Sequence, residues 1–284
     1  MIDTLLLSGG GSKGIAYFAL YDFLNELNYM DHIKNIVSCS IGSFFAVSMS
    51  MRINNKIIIK ILSNVLMSNK LYSFDNIDFD LFDKLGFFEN NLFLIILKHL
   101  FKYKYNRENL TLIELYNETG INNEIKVYNY TKMKSEYYNH INNPDMDVAI
   151  LITAATSIPI VNKYIVYNDQ YLLDGGISGK LPKCKYGNYL GVILNDTLMY
   201  NIDKDDIISY LEFLFLNRTD VIESEYIDKK RIIRVDLDIS TLKFDMTTED
   251  IDKYRNISYN IFKEFYNNNK DIFDLEKSSK KPSS

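Results

Sequence analysis

Three short stretches of this chain carry residue types that could do chemistry. The first is "SGGGSKG", Ser8 to Gly14, where four glycines fall within six residues after an apolar run. Glycines at the start of a helix leave backbone N–H groups bare, and the helix dipole adds to their attraction for an anion. That anion could be a phosphate, or the oxyanion of a tetrahedral intermediate. The second is "SCSIG", Ser38 to Gly42, which follows the strand-to-helix pattern G-x-S-x-G except at its first position. In such a turn the central serine, here Ser40, projects from the sheet as a nucleophile; a serine that only caps the next helix is the plainer alternative. The third is "YLLDGG", in which Asp174 ends an apolar strand. A carboxylate there could take the Ser40 proton directly, whereas D-G-G alone is an ordinary turn.

Other chemistries fit less well. Gly9, Gly11 and Gly14 satisfy G-x-G-x-x-G, but the second strand ends in Ser38-Cys39-Ser40, without the acid that would hold a ribose. A phosphate-binding P-loop would need its lysine after the last glycine, whereas Lys13 precedes Gly14. A serine–histidine–acid triad is poorly served, because His32, His99 and His140 all precede Asp174 and none falls at a strand end. "DFDLFDKLG", Asp78 to Gly86, imitates a calcium loop with the wrong spacing. No metal or other cofactor is expected. Cys39 reads as a small buried residue rather than a rival nucleophile.

The elements that must position these groups follow from apolar periodicity. Thr4 to Leu7 and Ile33 to Val37 read as buried strands. Helices are expected from Ile15 and over Phe44 to Met51. Strand, glycine loop, helix, strand, tight turn, helix is the grammar of an α/β fold with a parallel sheet. The middle, about Ile57 to Tyr116, reads as helical, and within it Phe87 to Phe101 fits a core helix better than a lid or bilayer-docking segment. Glu124 to Tyr138 suggests a strand pair, Asp147 to Ser157 a helix, and Tyr164 to Leu173 strands that place Asp174 at the carboxyl edge of a parallel sheet. A strand at Tyr189 to Leu194, a helix at Ile207 to Leu216, a strand at Arg231 to Ile239 and a helix at Thr248 to Tyr266 complete the pattern. One domain, residues 1–268, precedes a polar tail, 269–284, expected to be disordered.

Composition bounds the function. The 284 residues are 47% hydrophobic, enough for a sizeable core, and carry a net charge of −5. A general nucleic-acid binder would need a basic stripe, so nucleic acid is not an expected partner. Cys39 and Cys184 make no disulfide framework, and no signal peptide or membrane span is legible; the chain is expected to be intracellular and cytoplasmic.

Taken together, the glycine-rich segment, the Ser38–Gly42 elbow and Asp174-Gly175-Gly176 resemble the patatin-like phospholipases, lipid acyl hydrolases with a Ser-Asp dyad. "AATSIP", Ala154 to Pro159, is similar to the small-residue stretch before the family's D-G-G/A motif, and Leu242 to Phe265 to its closing strand-turn-helix. Ser38, in place of glycine, and Lys180, where asparagine is usual, depart from the pattern, while Pro182 is kept. The resemblance implies a three-layer α/β/α fold with a mostly parallel central sheet. It implies Ser40 as nucleophile, Asp174 as base, and an oxyanion hole at Gly10 and Gly11 with help from Gly9. Lys13 would steer anionic headgroups or support the loop. The implied partner is a phospholipid or other acyl-ester lipid, met in peripheral contact with membranes. An inactive lipid-binding scaffold is the alternative.

Overall fold

The computed structural model describes residues 2–68, 86–88, 91–195, 228–241, 243 and 246–273. The first strand, β1 (Thr4–Leu7), is buried along its whole length, as the unbroken apolar run requires of a central parallel strand. A 3-10 turn over Gly11–Ile15 leads into α1 (Ala16–Glu26). β2 (Asn35–Cys39) runs into α2 (Ile41–Ser50), and α3 (Asn55–Ser68) follows. β2 starts two residues later than the apolar pattern suggests, because Tyr29–His32 close a 3-10 turn first. Ser38 and Cys39 therefore belong to the strand, and Ser40 alone separates it from the helix.

Among the described residues of the middle of the chain, Gly86–Phe88 form a short strand, β3. α4 (Leu92–Tyr105) is a core helix, with Leu92, Phe93, Ile96, Leu97, Leu100 and Phe101 buried. α5 (Leu112–Thr119) opens with a reciprocal cap between Thr111 and Glu114. β4 (Asn122–Asn129) and β5 (Lys134–Tyr138) form an antiparallel pair, and Asp147 caps α6 (Val148–Ala155). β6 (Ile160–Asn162) pairs with β3, and β7 (Ile165–Tyr167) with β8 (Gln170–Asp174). β9 (Tyr189–Asn195), β10 (Ile232–Asp236), α7 (Thr248–Asn268) and α8 (Lys270–Phe273) complete the described elements. The expected helix at 207–216, the calcium-loop imitation except Gly86, and residues 242, 244 and 245 of the closing segment lie outside the described residues.

The main sheet runs β10-β9-β1-β2-β4-β8-β7, with β5 also paired to β4. β10 through β4 are mutually parallel; β8 and β5 run against them, and β7, antiparallel to β8, runs with them again. This is a mixed α/β fold with a mostly parallel central sheet flanked by helices. One large cluster joins alternate strand residues such as Leu5, Leu7, Ile125 and Leu194 to the described helices. A smaller cluster on the other face, Leu6, Val37, Tyr189, Ile193 and Ile232, is closed by Leu181, Cys184 and Tyr186.

Two expectations are corrected here. β8, which ends in Asp174, is antiparallel to β4 rather than part of a parallel set. It reaches the carboxyl rim from outside, because the β7–β8 hairpin overhangs that rim and feeds β8 back toward it. The polar tail does not begin at residue 269: Phe273 is 4% exposed and packs on the rings of Tyr29, Phe265 and Tyr266, and one buried aromatic suffices to dock the helical turn.

Candidate active site

β4 brings Ser40 and Asp174 together. Its residues 127–129 pair with β5 and with β8 at once, so those two strands occupy opposite edges of β4. Residues 125 and 126 pair with both β5 and β2, so β2 lies on the same edge as β8. Cys39 is registered on Lys126 and Asp174 on the next residue, Val127. β2 running up and β8 running down thus meet end to end along one edge, and the residue after Cys39 faces the last residue of β8.

That residue is Ser40, with φ 52° and ψ −132°, in the left-handed half of conformational space. A non-glycine residue is held there at a cost of about 1–3 kcal/mol, which surrounding structure must offset. The turn is tight enough that a Cβ on Gly42 would lie 2.7 Å from the Leu7 carbonyl oxygen and 2.8 Å from that of Ser8. Only glycine fits. Ser38, by contrast, sits in regular pairing with Leu7 and Ile125, so a side chain there leaves the elbow undistorted. Among the described residues its buried hydroxyl has no hydrogen-bond partner.

The Ser40 hydroxyl donates to Asp174 Oδ2 at 2.5 Å, across 134 residues of chain. Asp174 Oδ1 accepts the Gly176 N–H at 2.7 Å, and the Asp174 N–H donates to the Ser157 carbonyl at 2.9 Å. The carboxyl is 4% exposed. Burial raises its pKa to about 6, against the opposing pull of the Ser40 and Gly176 hydrogen bonds and the Lys126 charge. A Cβ on Gly175 would stand 2.5 Å from the Lys126 carbonyl oxygen, so the D-G-G turn is pressed against β4. Histidine has no part in this pair: His140 stacks on Tyr116 and meets Asn122, and His32 lies against Tyr29.

The glycine loop lies beside Ser40, since a Cβ on Gly9 would come within 3.0 Å of the Ser40 Cβ. The dinucleotide-like spacing has the same steric origin: a Cβ on Gly14 would stand 2.5 Å from the Ile41 side chain. Among the described residues the Gly10 and Gly11 N–H groups make no hydrogen bond, and the loop is fixed from behind by the Ser12 N–H on the Thr241 carbonyl at 2.8 Å. Gly9 differs from the expectation. Its N–H is already spent on the Lys180 carbonyl at 2.9 Å, so it has no donor left for an oxyanion. Lys13 is 1% exposed, which excludes it as a surface guide for headgroups and leaves it as support for the loop.

The sequence reading misses Lys126. This side chain is 4% exposed, and its Nζ donates to the Gly179 carbonyl at 2.6 Å. In "NEIKVYN" the alternation puts Glu124 and Lys126 on the face opposite Ile125 and Val127, which reads as a solvated face. The available signal was the long loop after Asp174, which covers that face.

Comparison with known proteins gives a consistent picture. A family model described as patatin-like phospholipase matches residues 5–182. The "Probable lipid hydrolase 463L" of Invertebrate iridescent virus 6 is 28% identical over 233 residues, covering 75% of this chain and 76% of that protein. An uncharacterized protein of Acanthamoeba polyphaga mimivirus is 23% identical over 269 residues, covering 86% and 87%. Among solved structures, VipD from Legionella pneumophila superposes with a TM-score of 0.65 at 17% identity, over 94% of this chain and 67% of its own. ExoU from Pseudomonas aeruginosa, in its complex with SpcU, gives 0.52 at 14% identity, over 94% and 51%. At such identities these two structures speak for the fold.

Proposed function

This chain belongs to the patatin-like phospholipase family, and on that premise we propose that it is a serine lipid acyl hydrolase of the phospholipase A type. The observation that carries the reading is the 2.5 Å hydrogen bond from Ser40 to Asp174. Asp174 takes the hydroxyl proton as Ser40 Oγ attacks the ester carbonyl of a membrane lipid. The Gly10 and Gly11 N–H groups receive the developing oxyanion, each such donor contributing about 2.7–4 kcal/mol to lowering the barrier. The alcohol leaves with the proton, the acyl group stays on Ser40, and water, deprotonated by Asp174, releases the fatty acid. Nucleophile, base and oxyanion donors all come from the chain, so the reaction needs no metal.

A carboxylate with the ordinary pKa near 3.9 would be a feeble base at neutral pH. The raised value of about 6 brings Asp174 closer to the serine while leaving it mostly ionised at pH 7. The same reading has the protein at work inside the cell, where Cys39 and Cys184 stay free thiols, and in peripheral contact with lipid surfaces.

The test is product analysis by mass spectrometry on phospholipid vesicles, wild type beside Ser40→Ala. Wild type is expected to release fatty acid and lysophospholipid, and the variant to lose at least about 10³-fold while melting at nearly the same temperature. Equal release by both would remove Ser40 from the mechanism. Labelling of Ser40 by a fluorophosphonate separates this reading from the inactive lipid-binding scaffold.

A further inference from the structure

Lys126 stands in the middle of β4, registered against Cys39 of β2 and Tyr137 of β5. Burying an ammonium group is costly unless something in the fold uses it. The partner is the Gly179 carbonyl, 2.6 Å away, in the segment that leaves the Asp174 turn. The next residue, Lys180, offers its own carbonyl to the Gly9 N–H at 2.9 Å. One side chain on β4 therefore holds a segment whose two ends are the base turn and the glycine loop. A second tie, from Ser178 Oγ to Ser135 Oγ on β5, fastens the same segment.

We propose that Lys126 is a positioning residue: its ammonium clamps Gly179, and through Lys180 the Gly9 turn, so that base and oxyanion donors keep their places around Ser40. The consequence for turnover rests on the acyl-hydrolase reading; the clamp does not. The other titratable groups on this side leave the task to Lys126. The Cys39 thiol and the Tyr137 phenol are both pushed up to about 12, chiefly by burial, and stay neutral. Glu124, two residues back on β4, is occupied by Lys185 at 2.8 Å and by the Tyr186 hydroxyl. Asp174, registered on Val127, takes the other face of β4, and its carboxyl is held down against burial first by the Ser40 and Gly176 hydrogen bonds and least by the Lys126 charge.

Three substitutions test the clamp. Lys126→Arg keeps a long cationic donor for Gly179, Lys126→Gln keeps a shorter neutral donor, and Lys126→Met keeps none. The first readout is hydrogen exchange at the Gly9 N–H, which donates to the Lys180 carbonyl beside the clamped Gly179, followed by ¹⁵N NMR in a Ser40→Ala background. Exchange is expected to be about tenfold faster in Met than with Lys126 intact and within about threefold of it in Arg. Unchanged exchange in Met overturns the proposal, and if Met fails to fold, unchanged exchange in Gln does so. In the otherwise wild-type chain kcat should fall about tenfold in Met with KM nearly unchanged, and Arg should restore it. Equal turnover in Met and Arg would overturn the proposal. Absence of Ser40-dependent hydrolysis in wild type would sink the acyl-hydrolase reading, while Gly9 exchange still judges Lys126.

Discussion

The two halves of the main sheet differ in how they deliver a functional group. In the parallel half, β1 and β2 each run straight into a turn and a helix, and everything that makes Ser40 an elbow serine lies within about ten residues of it or on the adjacent β1. In the antiparallel flank, Asp174 reaches the site at the end of a returning hairpin, and its place depends on pairing with β4, nearly fifty residues earlier. The proposed nucleophile is thus a local construction and the proposed base a long-range one. Defects in the first should fall on conformation, defects in the second on electrostatics.

Asp174→Asn should show this most strongly. It keeps the shape of the flank, removes the base, and is expected to cost about 10³–10⁴-fold in kcat, read from fatty-acid release. It should also stabilise the fold at neutral pH. The folded-state value of about 6 lies above the unfolded value of 3.8, so the native state binds the proton more tightly. Stability from this group is therefore fully present below pH 4 and lost as pH rises through 6, a loss of roughly 2–3 kcal/mol on the linkage relation. Thermal melts at pH 4.5 and 8 should converge in the variant relative to wild type, and an undiminished difference would mean that Asp174 is not the strained group. Hydrolysis by wild type should itself fall as pH drops through about 6.

Gly42→Ala should strike the local half. Its Cβ would press on two β1 and loop carbonyl oxygens, both backbone, so relief requires β1 and α2 to part. A loss of about 2–4 kcal/mol in a denaturant melt is expected, together with activity. Little change would show that the elbow is more yielding than its contacts imply. The smallest effect belongs to Ser38→Ala. It removes a buried hydroxyl without a partner among the described residues, so stability should rise by about 1 kcal/mol while turnover stays within about threefold. A large loss of turnover would give Ser38 a role beyond the strand.

How far the sequence could be read follows the same division. Ser40, its flanking strand and helix, and the glycine loop are encoded by neighbours, and short-range patterns disclose them. The direction of β8 is not, since Tyr164 to Leu173 alternates equally well in a strand of either sense. Gly9 looked like a donor because all three glycines are alike in sequence, and only the fold spends one of them on Lys180. Lys126 and Phe273 were missed for one reason: polar or terminal surroundings suggest water, and here a distant segment lies over each. For Lys13, the stem and its charge are both enclosed, which a lysine in a glycine loop does not announce.

The shared edge of β4 has a consequence for how such a chain can change over time. Lengthening or trimming the β7–β8 connection leaves the alignment of acid and serine untouched, because the count that matters is made along β4 itself. A one-residue deletion within β8 would instead rotate the acid to the opposite side of the sheet. The outer hairpins are thus free to drift in length and surface chemistry, while Ser40 and Asp174 stay aligned.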